Sequence, residues 1–149
     1  MVTHNARFVT ATIHPVVTEK QMSRASRQKG QRGEREICKI LTEKLGGEFK
    51  RNLMQTAEGG YDVLGLKGWA IEVKFQEKLQ LENWWKQTVE QAGTDKKPVL
   101  FFRRSREDWR VAVQYDYEYR RKNMGGDMAV SPSYYAVIPM EEFIRIAKQ

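Results

Sequence analysis

Apolar positions along the chain fall into two rhythms. Between Ser26 and Leu45, Ile37, Ile40, Leu41 and Leu45 recur at helical spacing, forming one stripe of an amphipathic helix, and Gly46-Gly47 follows as a stop. Next, GEFKRNLM (47–54), YDVLGL (61–66) and WAIEVKF (69–75) read as strands. The tight Lys67-Gly68 turn makes the last two an antiparallel hairpin. Leu81 to Gly93 returns to a helical pattern, with Trp84, Trp85, Val89 and Ala92 as its apolar part. PVLFF (98–102) is a continuous apolar run suited to a buried strand, and WRVAVQY (109–115) pairs with it across the polar RRSRED turn. The tail YYAVIPMEEFIRIAK offers a strand and a last helix, with Pro139 near its first turn. At the other end, RFVTATIHPVV has enough β-branched residues for a strand or an extended arm. The order predicts one α/β (α+β) domain around a central mixed sheet flanked by helices. Within 1–149 it comprises a basic N-terminal arm (1–25), a core (26–115) and a C-terminal extension with a strand and a helix (116–149).

Composition narrows the function classes. At 149 residues the chain is the size of one domain with its own core. No apolar run approaches the roughly 18 residues of a membrane span, and MVTHNARFVTATIHP does not read as a secretory signal, so a cytoplasmic location with no membrane partner is expected. The single cysteine, Cys38, cannot form an internal disulfide. With only His4 and His14 beside it, a closed Cys/His zinc site is excluded. The absence of a GxxxxGK[ST] loop argues against a nucleotide cofactor. The net charge is +7, unevenly spread: residues 1–33 carry six basic side chains and one acid, Glu19. Such a leader is an electrostatic footprint for nucleic acid or a solvated arm.

The third strand carries the first chemical signal. Alternation puts Ile71, Val73 and Phe75 on one face, and Ala70, Glu72 and Lys74 on the other. Alone, Glu72 and Lys74 would read as a surface ion pair. Asp62, early in the partner strand, changes the picture. The hairpin brings its carboxylate beside Glu72, and two adjacent carboxylates are best reconciled by a hard divalent cation, Mg²⁺ or Mn²⁺. A turn-capping role is the alternative for Asp62. Glu34 projects into the sector of Ile37, Leu41 and Leu45, so it requires a cation or donor partner unless it is simply a first-turn acid.

KGQRGEREICKILTEKLG (29–46), GGYDVLGL (59–66) and AIEVKF (70–75) resemble the motifs of the PD-(D/E)xK nucleases, most of all the archaeal-type Holliday-junction resolvases. The shared pattern is a Lys-Gly and a Glu-Arg-Glu on the first helix, an Asp on the second strand and Glu-x-Lys on the third. The likeness extends from about Lys29 to Val113. It implies a restriction-endonuclease-like core and a catalytic set of Glu34, Asp62, Glu72 and Lys74. It also implies Mg²⁺, with Mn²⁺ able to substitute, held by Asp62, Glu72 and the Val73 carbonyl, Glu34 joining directly or through water. The expected reaction is phosphodiester hydrolysis in DNA, branched at a four-way junction, by a homodimer. The alternatives are another DNA nuclease of the same fold (a restriction or repair endonuclease, or a DNA-end exonuclease) and a non-catalytic DNA-binding module. Tyr61 departs from the signature Pro before the Asp, and NLMQTAEGG is longer than the archaeal type leads one to expect. Lys29, Arg32 and Arg35, beside Glu34, are the preferred phosphate contacts, followed by Arg103 and Arg104 after the buried strand. Gln87, three residues after Trp84, is a candidate helper near the metal, because relatives often place a polar residue there.

Overall fold

A computed structural model describes residues 19–54, 60–115 and 134–149. The predicted strand or arm in RFVTATIHPVV and the polar stretch 116–133 lie outside these residues. The elements are α1 (Glu19–Leu45), β1 (Lys50–Arg51), β2 (Val63–Leu64), β3 (Trp69–Phe75), α2 (Leu81–Ala92), β4 (Lys97–Arg103), β5 (Arg110–Gln114), β6 (Tyr135–Pro139) and α3 (Met140–Ala147). The six strands form one mixed sheet in sequence order. Only β3 and β4 run parallel, with α2 as the crossover between them, and the other neighbours are antiparallel.

Helices cover both faces. On one, Ile37 and Leu41 of α1 and Phe143 and Ile144 of α3 pack against Val63, Ile71, Val73, Val99, Phe101 and Val111. On the other, Trp84 and Trp85 of α2 pack against Leu100, Phe102 and Ala112. The alternating side chains of β4 therefore enter two different cores, which is why its sequence is apolar without a break. The C-terminal segment contributes a strand and two of the buried side chains, so it completes the same core. No helix among the described residues is long and apolar enough to cross a membrane.

Two elements differ from expectation. The first helix begins at Glu19, not near Ser26, because nothing in EKQMSRAS breaks a helix: it lacks Pro and Gly. The first strand shrinks to Lys50–Arg51, since pairing with β2 extends only over Lys50↔Leu64 and Arg51↔Val63.

Two glycines shape the ground around Asp62 and Glu34. Gly65 has φ +130°, and a Cβ there would lie 2.4 Å from the Glu48 carbonyl oxygen, so only glycine lets β1 approach the β2–β3 connection this closely. At Gly33 a Cβ would lie 3.0 Å from Phe75 Cβ and 3.3 Å from Trp109 Cη2. The missing side chain lets α1 settle onto β3 one residue before Glu34.

Candidate active site

The site forms where β2 parts from β3. Their ladder pairs Val63 with Ile71, and the Asp62 N–H donates to the Ile71 carbonyl at 2.7 Å. Beyond this point the Asp62 side chain replaces the departing strand: its Oδ2 accepts from the Val73 N–H at 2.7 Å. In an extended chain the N–H and C=O of one residue face the same side, so the Val73 carbonyl also faces this open edge. Asp62 is held from behind as well, its own carbonyl accepting from the Asn52 N–H at 2.8 Å.

Glu72 is far from a surface residue. Its side chain is 5% exposed, and Lys74 Nζ reaches its Oε1 at 3.3 Å. Its second oxygen, Oε2, is buried without a hydrogen-bond partner. Burial pushes the Glu72 carboxyl far above the usual carboxylate range, and the negative charge of Asp62 adds to the effect; Lys74 opposes it. The face that alternation assigned to Glu72 and Lys74 is correct, and α2, packed across β3 and β4, keeps Glu72 from water.

Glu34 sits half-buried on α1 with its Oε2 accepting from Arg51 Nε at 2.6 Å. Its carboxyl is also raised, first by burial and further by the charge of Asp62, with the Arg51 contact working against both. Arg51 is thus the donor that the burial of Glu34 required. Sequence reasoning missed it because the partner lies 17 residues away in a two-residue strand. Among the described residues no three His, Cys, Asp or Glu side chains form a ready-made metal cluster. The structure brings together two carboxylates and a backbone carbonyl, with Glu34 behind them on Arg51. These hard oxygen donors, the crowding of Asp62 and Glu72, and the orphaned Glu72 Oε2 fit a divalent cation.

The remaining expected residues separate. Gln87 is exposed, and the polar side chain that α2 buries is Thr88, whose hydroxyl donates to the Trp84 carbonyl. Trp84 and Trp85 are core residues. Arg103 is 12% exposed, bonded through Nη2 to both oxygens of Glu36 at 2.9 and 3.1 Å, and stacked 3.9 Å from the centre of the Phe75 ring. Trp109 Nε1 donates to the same Glu36 at 3.2 Å. Arg103 therefore ties β4 to α1 rather than standing free for phosphate. Arg104 is paired with Glu107 inside its own turn. Arg35 is exposed and bonds only weakly to Gln31, at 3.4 Å. Lys29 and Arg32 line a cleft of about 610 Å³ with Gln28, Phe75, Ser105 and Arg106, over a floor that includes Arg103. Cys38 is half-buried, and burial together with Glu34 pushes its thiol up, away from nucleophilic use.

A family model described as "Phage putative PDDEXK endonuclease" matches residues 25–141, most of the chain. The chain belongs to this PDDEXK endonuclease family. It is a nuclease by that membership, and the Asp62, Glu72 and Lys74 constellation stands inside the matched region. Among solved structures, it is similar to that of Hjc, a Holliday junction resolvase from the archaeal hyperthermophile Archaeoglobus fulgidus. Identity is 27%, coverage is 56% of this chain and 70% of that one, and the TM-score is 0.42. No curated protein matches the chain.

Proposed function

We propose that this nuclease is a Mg²⁺-dependent, structure-selective DNA endonuclease whose substrate is a four-way junction. The observation that carries the metal-dependent reading is the buried pair Asp62 and Glu72, with the Glu72 Oε2 buried and lacking a hydrogen-bond donor among the described residues. Asp62, Glu72 and the Val73 carbonyl would hold Mg²⁺, with Mn²⁺ as a substitute and Glu34 as an outer carboxylate. Bound there, the ion supplies Lewis acidity toward a phosphodiester and neutralises charge that builds in the transition state.

The chain's own residues do the rest. Asp62 is aimed by the Val73 N–H, so its carboxylate is held in place beside Glu72 before any ion binds. Lys74 Nζ, steadied by Glu72, donates to a phosphate oxygen or orients the attacking water. Lys29, Arg32, Arg35 and Arg104 bind flanking phosphates, and Arg103 supports them from beneath. The preference for a junction rests on the Lys-Gly, Glu-Arg-Glu, Asp and Glu-x-Lys pattern. Two symmetric incisions call for a twofold dimer acting where cellular DNA is found.

The test is cleavage of synthetic four-way junctions, linear duplex, flaps and single strands, each with and without Mg²⁺. Cutting of junctions alone supports the proposal. Equal cutting of linear duplex removes the junction preference and leaves a general DNA endonuclease. Asp62→Asn is expected to reduce cleavage about a hundredfold or more while DNA binding persists. Loss of binding together with cleavage would assign Asp62 a folding role instead.

A further inference from the structure

One exposed carboxylate occupies a place built for an anion. Glu77 lies two residues past the end of β3, bonded to Lys29 and Ser105 of the basic cleft's lining, and its side chain is 59% exposed. A single oxygen, Oε1, accepts from three donors on two separate segments. Lys29 Nζ comes from α1, and the Ser105 hydroxyl and the Ser105 backbone N–H, the latter at 3.2 Å, come from the β4–β5 turn. An ammonium, a hydroxyl and a main-chain amide converging on one oxygen form the donor set that recognises a phosphate oxygen. The three donors hold the Glu77 carboxyl well below the usual range, at about 2, so it is an anion under all ordinary conditions.

The surroundings are cationic. Lys29, Arg32, Arg103 and Arg106 line the cleft, and among the described residues Glu77 pairs with Lys29 while Glu36 pairs with Arg32 and Arg103. Arg106 holds φ +66°, a left-handed conformation that a non-glycine side chain adopts at a cost, so the turn carrying Ser105 is shaped against local preference. Lys29 is also set over the Phe75 ring, 4.8 Å from its centre, which fixes the ammonium whether or not Glu77 is in place. Glu77 is three residues from Lys74, so their α-carbons are at most about 11 Å apart. The seat therefore lies at the same end of β3 as the candidate site.

We infer that the Lys29–Ser105 seat binds a backbone phosphate of the nucleic-acid substrate, and that Glu77 is an internal substitute for that phosphate which the substrate must displace. The inference rests on the nuclease reading above and deepens it by assigning a particular phosphate contact and a built-in competitor. Binding of wild-type protein is weakened because seat and carboxylate are already satisfied by each other. Discrimination follows from the same contact. Only a substrate held by enough other phosphates pulls Glu77 out, so short or poorly fitting nucleic acids are rejected.

The experiment measures binding of a fluorescently labelled four-way junction to the full chain in EDTA, as a function of salt. The proteins are wild type, Glu77→Ala, Ser105→Ala and the double variant, each checked for folding by thermal melting. Glu77→Ala is expected to tighten binding by roughly three- to tenfold and to steepen the slope of log K against log salt by up to about 0.9, because Lys29 then neutralises a DNA phosphate, freeing its condensed counterion, with no carboxylate to be displaced first. Ser105→Ala is expected to be nearly neutral alone, since it weakens Glu77 and phosphate alike, and to remove most of the gain in the Glu77→Ala background. An equal gain from Glu77→Ala with and without Ser105 would show general charge repulsion and overturn the seat, as would no gain in a folded Glu77→Ala. Should Glu77→Ala fail to fold, Glu77→Gln replaces it, with a smaller gain in the same direction. Release of the junction by low-millimolar inorganic phosphate at matched ionic strength would assign the seat to a free anion and overturn the inference. Binding without the expected cycle sinks this inference alone; absence of binding by every folded variant sinks the DNA reading with it.

Discussion

Replacing Glu72 by Gln should make the metal-free protein more stable at alkaline pH. The Glu72 carboxyl titrates near 4.5 in the unfolded chain and is pushed up to about 8 in the folded one, first by burial and then by Asp62. Between those values the folded state holds a proton that the unfolded state has lost. Stability therefore falls as pH rises through this window, by up to about 1.4 kcal/mol per pH unit, and levels off above pH 8. Because Asp62 and Glu72 titrate as a pair, the whole loss is of order 2–4 kcal/mol. A glutamine keeps the shape and stays neutral, so Glu72→Gln lacks this loss. Glu34, also raised, contributes a slope of the same sign to both proteins, and the informative quantity is their difference. Urea unfolding in EDTA from pH 5 to 9 measures it. The two proteins should be close at pH 5 and differ by about 2–4 kcal/mol in favour of the variant at pH 9. Adding Mg²⁺ should stabilise wild type at pH 8 and leave the variant nearly unmoved, since a carboxylate that binds an ion must first give up its proton. Parallel pH profiles would refute the burial of a titrating Glu72. Equal Mg²⁺ stabilisation of both would remove Glu72 from the metal site.

Other perturbations separate the roles of neighbouring groups. Lys74→Ala should lower the cleavage rate by about a hundredfold or more at saturating Mg²⁺ while Mg²⁺ still raises the melting temperature; an unchanged rate would take Lys74 out of the chemistry. Arg103→Ala leaves Glu36 with one partner fewer and uncovers Phe75, and is expected to cost about 2–4 kcal/mol in urea unfolding. Arg103→Lys should not restore it, because a compact ammonium lacks the planar guanidinium face that lies over Phe75, and full rescue would refute a role for that stacking. Gly33→Ala adds a Cβ 3.0 Å from Phe75 Cβ and should shift α1 outward by a few tenths of an ångström. Helix propensity recovers about 1 kcal/mol, so stability should change little while cleavage falls, as Glu34 moves with the helix; unaltered cleavage would place Glu34 outside the site.

Much of the architecture could be read from local pattern. The spacing of Ile37, Leu41 and Leu45, the period-two alternation in WAIEVKF and the unbroken PVLFF each reflect which faces of an element meet apolar neighbours, and those faces follow from backbone geometry. The same alternation put Glu72 and Lys74 side by side, and the short hairpin put Asp62 next to them. What this left open was the environment. An E-x-K on a strand is a surface pair or a buried site depending on whether a helix crosses above it, and α2, joined through a crossover, is that helix.

Local pattern was silent where partners are distant. Arg51 neutralises Glu34 across 17 residues, Arg103 and Trp109 meet Glu36 across 67 and 73, and Glu77 finds Lys29 across 48. None of these carries a periodic signal, because charges on separate elements meet only after the sheet and helices are assembled. Residue types and spacing thus supplied the chemical inventory and the strands that bear it. Assembly determined which charges are paired, which are deprived of water and which oxygen is left without a partner, because those depend on what packs above each side chain, and linear order does not encode that directly.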